Sequence, residues 1–401
     1  MALNLTTKEF QHNPYPTYEN LRKNGQLTAV KLGILGDAVM VTRYEDVVTV
    51  LKDPRFSNER YKALGTNGWL NMSWLPGPLR VLARSMVLID DPDHARLRNL
   101  VHKGFTPRRI QQLETRIEAI CQTLLDEAAK KPSPDLMRDF AQPVPLTVIS
   151  QMMGVPQEDQ RKFHKLMGGL VTHSASKNIL GMIFNGLALN RFFRNLVALK
   201  REQPQDDLIT VLVQAEEQGD RLSEDELIAM LFLLLLAGHE TTVNLIGSGT
   251  LALLEHPDQL EKLLNDMSLL DGAIEEMLRF TNPVHHVAQR YALEDVPLMG
   301  YTVPKGSTVA VGVASANRDE AVFENPDQFD ITRTNNRHVA FGLGIHYCLG
   351  APLARLEAKI AFTALLTRFP HLELAAPVES LEWRGAPAMR GLKHLPISLQ
   401  Q

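Results

Sequence analysis

The chain has 401 residues, 44% hydrophobic and 22% charged, with a formal net charge of -4. That balance excludes a disordered, collagen-like or coiled-coil chain, and the slight acidity excludes nucleic-acid binding by bulk electrostatics. Its two cysteines, Cys121 and Cys348, are too few for a disulfide scaffold and too far apart for a zinc site.

The N-terminus lacks the apolar core of a signal peptide. The longest apolar run, Leu227 to Ala237, falls short of the roughly 18 residues a membrane span needs. A cytoplasmic protein without a membrane span is expected. Length alone would allow two or three domains of about 150 residues each, but no linker or repeat divides the chain.

Residues 37 to 51 read as a strand followed by a short helix. From Phe56 to Ile89 no period holds, as in a binding loop. Helical patterns follow over 93–104, 107–130, 144–153, 157–171 and 186–201. Ser223 and Glu226 fit a capping box, opening a helix that runs through the Leu-rich stretch to about Glu255 and belongs in the middle of a core. Two more helical segments fill 257–281. Strand-like pieces lie at 288–291, 297–303 and 308–313, and a loop rich in Asn, Pro and Asp covers 317–336. An amphipathic helix spans 351–369 and a strand-like tail 392–399. The total is mainly α with a minor β component.

The chemistry concentrates in Phe341-Gly-Leu-Gly-Ile-His-Tyr-Cys348-Leu-Gly350. Gly342, Gly344 and Gly350 free the backbone for tight turns and close approach to a bulky planar group. Cys348 stands just before a helix, whose N-terminal dipole favours a thiolate. Such a sulfur suits an axial iron ligand, the alternative being a buried structural cysteine. Cys121, on an amphipathic helix, reads as core packing.

The segment resembles the haem-binding signature of cytochromes P450, Phe-x-x-Gly-x-x-x-Cys-x-Gly, at every fixed position. The resemblance runs from Asn13-Pro14-Tyr15-Pro16 to the Gly-Leu-Lys-His-Leu-Pro ending, and is strongest to soluble bacterial polyketide- and macrolide-tailoring hydroxylases. It implies a single domain over 1–401, a mainly α (α+β) triangular prism with small β-sheets. Haem b would be bound through Cys348, with Phe341 packed beside it.

Other motifs agree with that resemblance. Glu276 and Arg279 stand one helical turn apart and match the family's buried structural pair, which on an arbitrary helix would be a solvated ion pair. The Arg that often completes the network is replaced by Gln328, leaving Arg333, the backbone or a smaller network as alternatives. Ala237-Gly238-His239-Glu240-Thr241-Thr242 resembles the family's oxygen-binding kink, Thr241 donating to the oxygen substrate and Glu240 relaying protons. His94, Arg98, Arg290 and His338 match propionate ligands. Leu233, Leu236 and Ala237 would roof the haem, with His286 and Val287 also touching substrate. For His285 and His286 a polar core contact is the alternative. Further substrate contacts are implied in the loop before His94, around 165–190 and at about Pro387 to Gly391.

The implied activity is a monooxygenase that hydroxylates or epoxidises an apolar small molecule such as a polyketide, macrolide, fatty acid, terpenoid or steroid. Nothing resembles a flavin or nicotinamide domain. Electrons from NAD(P)H would therefore arrive through a ferredoxin or flavodoxin with its reductase, docking on Lys103, Arg108, Arg109, Arg355 and Lys359 of a monomeric protein. A peroxide-driven peroxygenase of the same fold and a non-catalytic haem carrier are the rival readings. Both are disfavoured by the presence of Glu240 and Thr241.

Overall fold

The computed structural model describes residues 2–5, 7–25, 27–32, 36–65, 85–175, 179–217, 222–384 and 388–399. The chain divides into two compact units, one formed by 1–65, 114–144 and 240–401, the other by 66–113 and 145–239.

The first unit holds the β structure. A six-stranded sheet runs in the order Leu3–Asn4, Thr28–Lys31, Asp37–Val41, Thr308–Val311, Val287–Ala292 and Phe56–Ser57. Val39 pairs with Val309 and Val41 with Val311 in parallel register, and Arg290 faces Val309 across an antiparallel pair. The expected strand at 297–303 is instead a hairpin, Val296–Leu298 against Tyr301–Val303, because Gly300 turns the chain at φ +86°. Valines from sheet and hairpin bury one core, including Val41, Val296, Val303, Val309 and Val311.

Helices Leu270–Thr281 and Ala351–Arg368 share a second core, in which Met277, Leu278, Ala358 and Phe362 pack with Leu245 and Leu253. The helix expected over 107–130 is broken into Pro107–Gln111 and Glu114–Ala129. A tight bond from Leu113 N–H to the Ile110 carbonyl ends the first piece. Cys121 is buried, and burial pushes its thiol up to about 12, so it is inert packing as expected.

Glu357, also buried, has no partner for Oε2 among the described residues. Burial alone lifts its carboxyl to about 8. The unfolded carboxyl, near 4.5, ionises first, so between those pH values the unfolded state holds fewer protons and stability falls as pH rises. Glu357→Gln is therefore expected to unfold like the parent at pH 5 but to gain about 3 kcal/mol at pH 8. Urea titrations at the two pH values check this; an equal effect at both would refute a buried neutral carboxyl.

The second unit is helical. Gln157–Ala175 and Ile179–Glu202 are joined by an aromatic cluster, Phe163, Phe192, Phe193 and Phe232, with Phe193 and Phe232 edge to face at 5.2 Å. The capping box forms: Ser223 N–H donates to Glu226 Oε2 (2.8 Å) and Glu226 N–H to Ser223 Oγ (3.3 Å). It opens helix Glu224–Glu255, along which the chain passes from the second unit to the first. By length and composition this helix could cross a membrane, which the sequence reading did not expect. Its most apolar window is 61% buried within the protein, the signature of a core helix.

Candidate active site

The cysteine loop is built from backbone hydrogen bonds. Gly342 N–H donates to the Val339 carbonyl (2.9 Å), Tyr347 N–H to Gly344 (3.1 Å) and Cys348 N–H to Phe341 (2.9 Å). Gly342 (φ +67°) and Gly344 (φ +71°) take left-handed conformations that favour glycine. A Cβ on Gly344 would also stand 2.7 Å from the Leu51 carbonyl oxygen. Gly350 differs from expectation. It caps helix Ala351–Arg368 at φ -82°, where other residues fit, and its missing Cβ would lie 4.0 Å from Cys348 Sγ. Its smallness leaves room beside the sulfur. Cys348 is exposed, as are Ile345 and Tyr347, so the loop presents a thiol amid uncovered apolar surface at a helix N-terminus.

Glu276 and Arg279 are both fully buried. Arg279 donates to both Glu276 oxygens at 2.7 and 2.8 Å, and to the carbonyls of Asn317, Pro326 and Gln328. Arg333 Nε also reaches Glu276, at 3.2 Å. Of the alternatives left by Gln328, two hold together: Arg333 is the second cation and Gln328 contributes its carbonyl. Asn336 and the Asp330 N–H, which sequence reasoning missed, complete the carboxylate's shell.

On the long helix, residues 227 to 235 are buried apart from Leu233, whereas Leu236 is 41% exposed and Ala237 is also exposed. An apolar helix that loses cover in mid-course presents a face for an apolar ligand. Glu240 and Thr241 follow, half-buried. Burial raises the Glu240 carboxyl above its ordinary value, opposed by the Arg384 guanidinium at 3.7 Å.

The family model described as Cytochrome P450 matches residues 187–390, and polyketide biosynthesis cytochrome P450 PksS of Bacillus subtilis is 44% identical over 400 residues, 98% of each chain. The chain belongs to the cytochrome P450 family. Vitamin D(3) 25-hydroxylase of Pseudonocardia autotrophica is 41% identical to this P450 over 391 residues, 97% of this chain and 94% of that one. A solved structure of PksS superposes with a TM-score of 0.91 at 42% identity, covering 99% of both chains. This P450 therefore has the fold that its cysteine motif implied, and it is a monooxygenase by family.

Family membership implies haem, and the residues present fit it. In the first unit a soft sulfur donor stands on an exposed loop; in the second the helix face at Leu236 and Ala237 is uncovered, and each unit holds a nearly buried cation or imidazole. Arg290 is 2% exposed and His94 1%. Burial lowers the His94 pKa, opposed by Asp91, whose Oδ1 is 3.2 Å from Nδ1. Arg98, one turn further along helix Asp93–His102, is half-buried. His338 is half-buried, its side chain 4% exposed, with both ring nitrogens engaged: Nε2 meets Glu275 Oε2 at 3.0 Å and Nδ1 accepts the Ala340 N–H. A propionate on His338 would have to replace Glu275. Burial pushes the Glu275 carboxyl up, but hydrogen bonds from Arg355 and His338 outweigh it and hold it at about 2.

The substrate expectations fare less evenly. His286 is buried, with Nε2 3.1 Å from Tyr18 Oη; the same hydroxyl is 3.3 Å from His285 Nδ1. Both histidines take part in a polar core contact around Tyr18, the alternative that the sequence left open for them. Val287 is half-buried. Positions 66–84, 176–178 and Pro387 lie outside the described residues. Among the expected docking cations, Arg109 pairs with Asp206, Arg355 with Glu275 and Lys359 with Asp271, so much of that charge is compensated. Arg96, between His94 and Arg98 on their helix, is half-buried against Glu226.

Proposed function

We propose that this P450 inserts one oxygen atom into an apolar small molecule of the polyketide, macrolide, fatty-acid or steroid size range, with electrons from NAD(P)H passed through an external ferredoxin or flavodoxin. The observation that carries this reading is Cys348, exposed on its glycine-bent loop. Relatives named for polyketide biosynthesis and for vitamin D(3) hydroxylation support a bulky apolar substrate. Bound haem would supply oxygen activation, which thiolate ligation promotes.

The chain's own residues do the rest. Cys348 would hold the haem iron, with Phe341, Gly342 and Gly350 shaping its surroundings, while Arg290, His94, Arg98 and, once freed from Glu275, His338 would take the propionates. Leu233, Leu236 and Ala237 give an apolar contact that excludes water. Thr241 donates a hydrogen bond at the oxygen-binding position, and Glu240 holds the proton to be transferred. The unit boundaries at Val144 and His239 cut through helices Pro143–Met152 and Glu224–Glu255, which supports folding as one domain. We place the enzyme in the cytoplasm as a monomer.

The reduced, CO-bound absorption spectrum tests the ligand: a strongly red-shifted Soret band supports the reading, and its absence in folded, haem-loaded protein overturns it. Spin-state titration with a panel of macrolides, fatty acids and steroids then selects a probe substrate. Thr241→Ala is expected to keep the CO spectrum but to lose about tenfold in product per NADPH, with peroxide released instead. Full coupling in that variant would remove Thr241 from the mechanism. Turnover driven by a ferredoxin–reductase pair should exceed turnover with added peroxide.

A further inference from the structure

Helix Glu224–Glu255 carries Glu240, Asn244 and Ser248 at four-residue intervals, so the three share one face. Asn244 is 1% exposed and Ser248 4%. Neither amide atom of Asn244, nor Ser248 Oγ, has a hydrogen-bond partner among the described residues. By contrast, Thr250 on the same helix satisfies its hydroxyl on the Ile246 carbonyl at 2.8 Å. Leaving a buried polar group unsatisfied costs about 1–3 kcal/mol, and folded proteins meet such groups with ordered water.

The surroundings extend this line at both ends. Trp383 and Leu392 form an antiparallel bridge, and Arg384 N–H donates to the Gly391 carbonyl at 2.8 Å. A Cβ on Gly391 would stand 1.8 Å from Asn244 Oδ1, so the Gly391 backbone lies directly against that amide. The Arg384 side chain continues to Glu240, 3.7 Å away. At the other end Ser248 lines an open cleft of about 460 Å³, with Glu255, His256, Trp383 and Arg390. The distance spanned from Ser248 to Glu240 is about 12 Å of helix axis.

We infer that Ser248 and Asn244 hold a file of water molecules between this cleft and Glu240, forming a proton inlet whose inner end is set by Arg384. Each proton that Glu240 gives up is replaced along the file by one from solvent in the cleft, so the carboxyl returns to its starting state every turnover. Ser248 and Asn244 are positioning residues; they touch neither substrate nor haem. The inference rests on Glu240 being the proton donor, and its test separates the two.

The experiment uses haem-loaded enzyme without substrate. The carboxyl stretch of protonated Glu240, assigned as the infrared band lost in Glu240→Gln, is followed after mixing into D2O. Exchange in the parent is expected to finish within the mixing time. In Asn244→Leu it waits on local opening and slows by at least about tenfold, with a smaller slowing in Ser248→Ala and recovery in Asn244→Ser. A high-resolution crystal structure should show ordered waters bonded to the Asn244 amide and Ser248 Oγ. Parent-like exchange in Asn244→Leu, or in Ser248→Ala should Asn244→Leu not fold, together with no ordered water at either residue, overturns the inlet. Retained coupling in Glu240→Gln would instead overturn the donor role while leaving the exchange result standing.

Discussion

Cys348→Ser should abolish the red-shifted CO band and depress turnover by more than about a thousandfold, while the protein still folds. Loop and ligand are separable. The loop is held by the backbone bonds of Gly342, Tyr347 and Cys348 and by the left-handed Gly342 and Gly344, none of which a serine disturbs. The side chain itself is exposed, so its replacement removes little packing, and apo-protein stability should shift by no more than about 0.5 kcal/mol. What is lost is the sulfur. A serine hydroxyl ionises far less readily than a thiol and is a hard oxygen donor, so it neither binds iron as firmly nor donates electron density as a thiolate does. Thermal unfolding of the apo-protein and the CO spectrum of the reconstituted protein give the two readouts. A serine variant that kept the red-shifted band would falsify the ligand assignment outright.

How much of this could be read from the chain depended on whether the signal was local. The loop around Cys348 was legible because its glycines and cysteine act through neighbouring backbone. The capping box was legible because Ser223 and Glu226 answer each other within one turn. The π-helical segment Met137–Ala141 was not legible. It is pinned by Asp135, which accepts from Met137 and Arg138 N–H, and by Asp139, held by Arg138 and Lys131. Helix Leu208–Glu217 was also missed. Its start is organised by Asp207, which accepts from Thr210 N–H and pairs with buried Lys200 at 2.6 Å.

The site shows the same division. That Glu276 and Arg279 pair was readable from their spacing, but Arg333 joins them across 57 positions of sequence, which no local pattern encodes. The contact of His286 with Tyr18, 268 positions away, was equally illegible. Asn244 and Ser248 read as incidental polar residues on an apolar helix. Their meaning emerges only once Gly391 and the cleft are in place beside them.

Arg279→Lys is the second large effect expected, a loss of about 3–5 kcal/mol despite the conserved charge. Arg279 fills five hydrogen bonds, two to Glu276 and one each to the carbonyls of Asn317, Pro326 and Gln328. A lysine has three donors on a compact head, so it cannot satisfy the carboxylate and all three carbonyls together. The carbonyls matter because residues 317–336 contain no helix or strand; beyond its own turn bonds, this segment is tied to the Glu276 helix through Arg279 at three points. Asn317 in turn accepts the Val339 N–H at 2.8 Å, and the Val339 carbonyl accepts the Gly342 N–H that shapes the cysteine loop. Loss of Arg279 thus propagates through Asn317 to Cys348, and haem retention should fall along with stability. Arg333→Ala should cost less, because Arg333 is partly exposed and leaves Glu276 its bidentate partner. Measuring unfolding free energy and haem content across Arg279→Lys, Arg333→Ala and the double variant tests the order. If Arg279→Lys proved no more costly than Arg333→Ala, the network could not be what orders the approach to the cysteine loop.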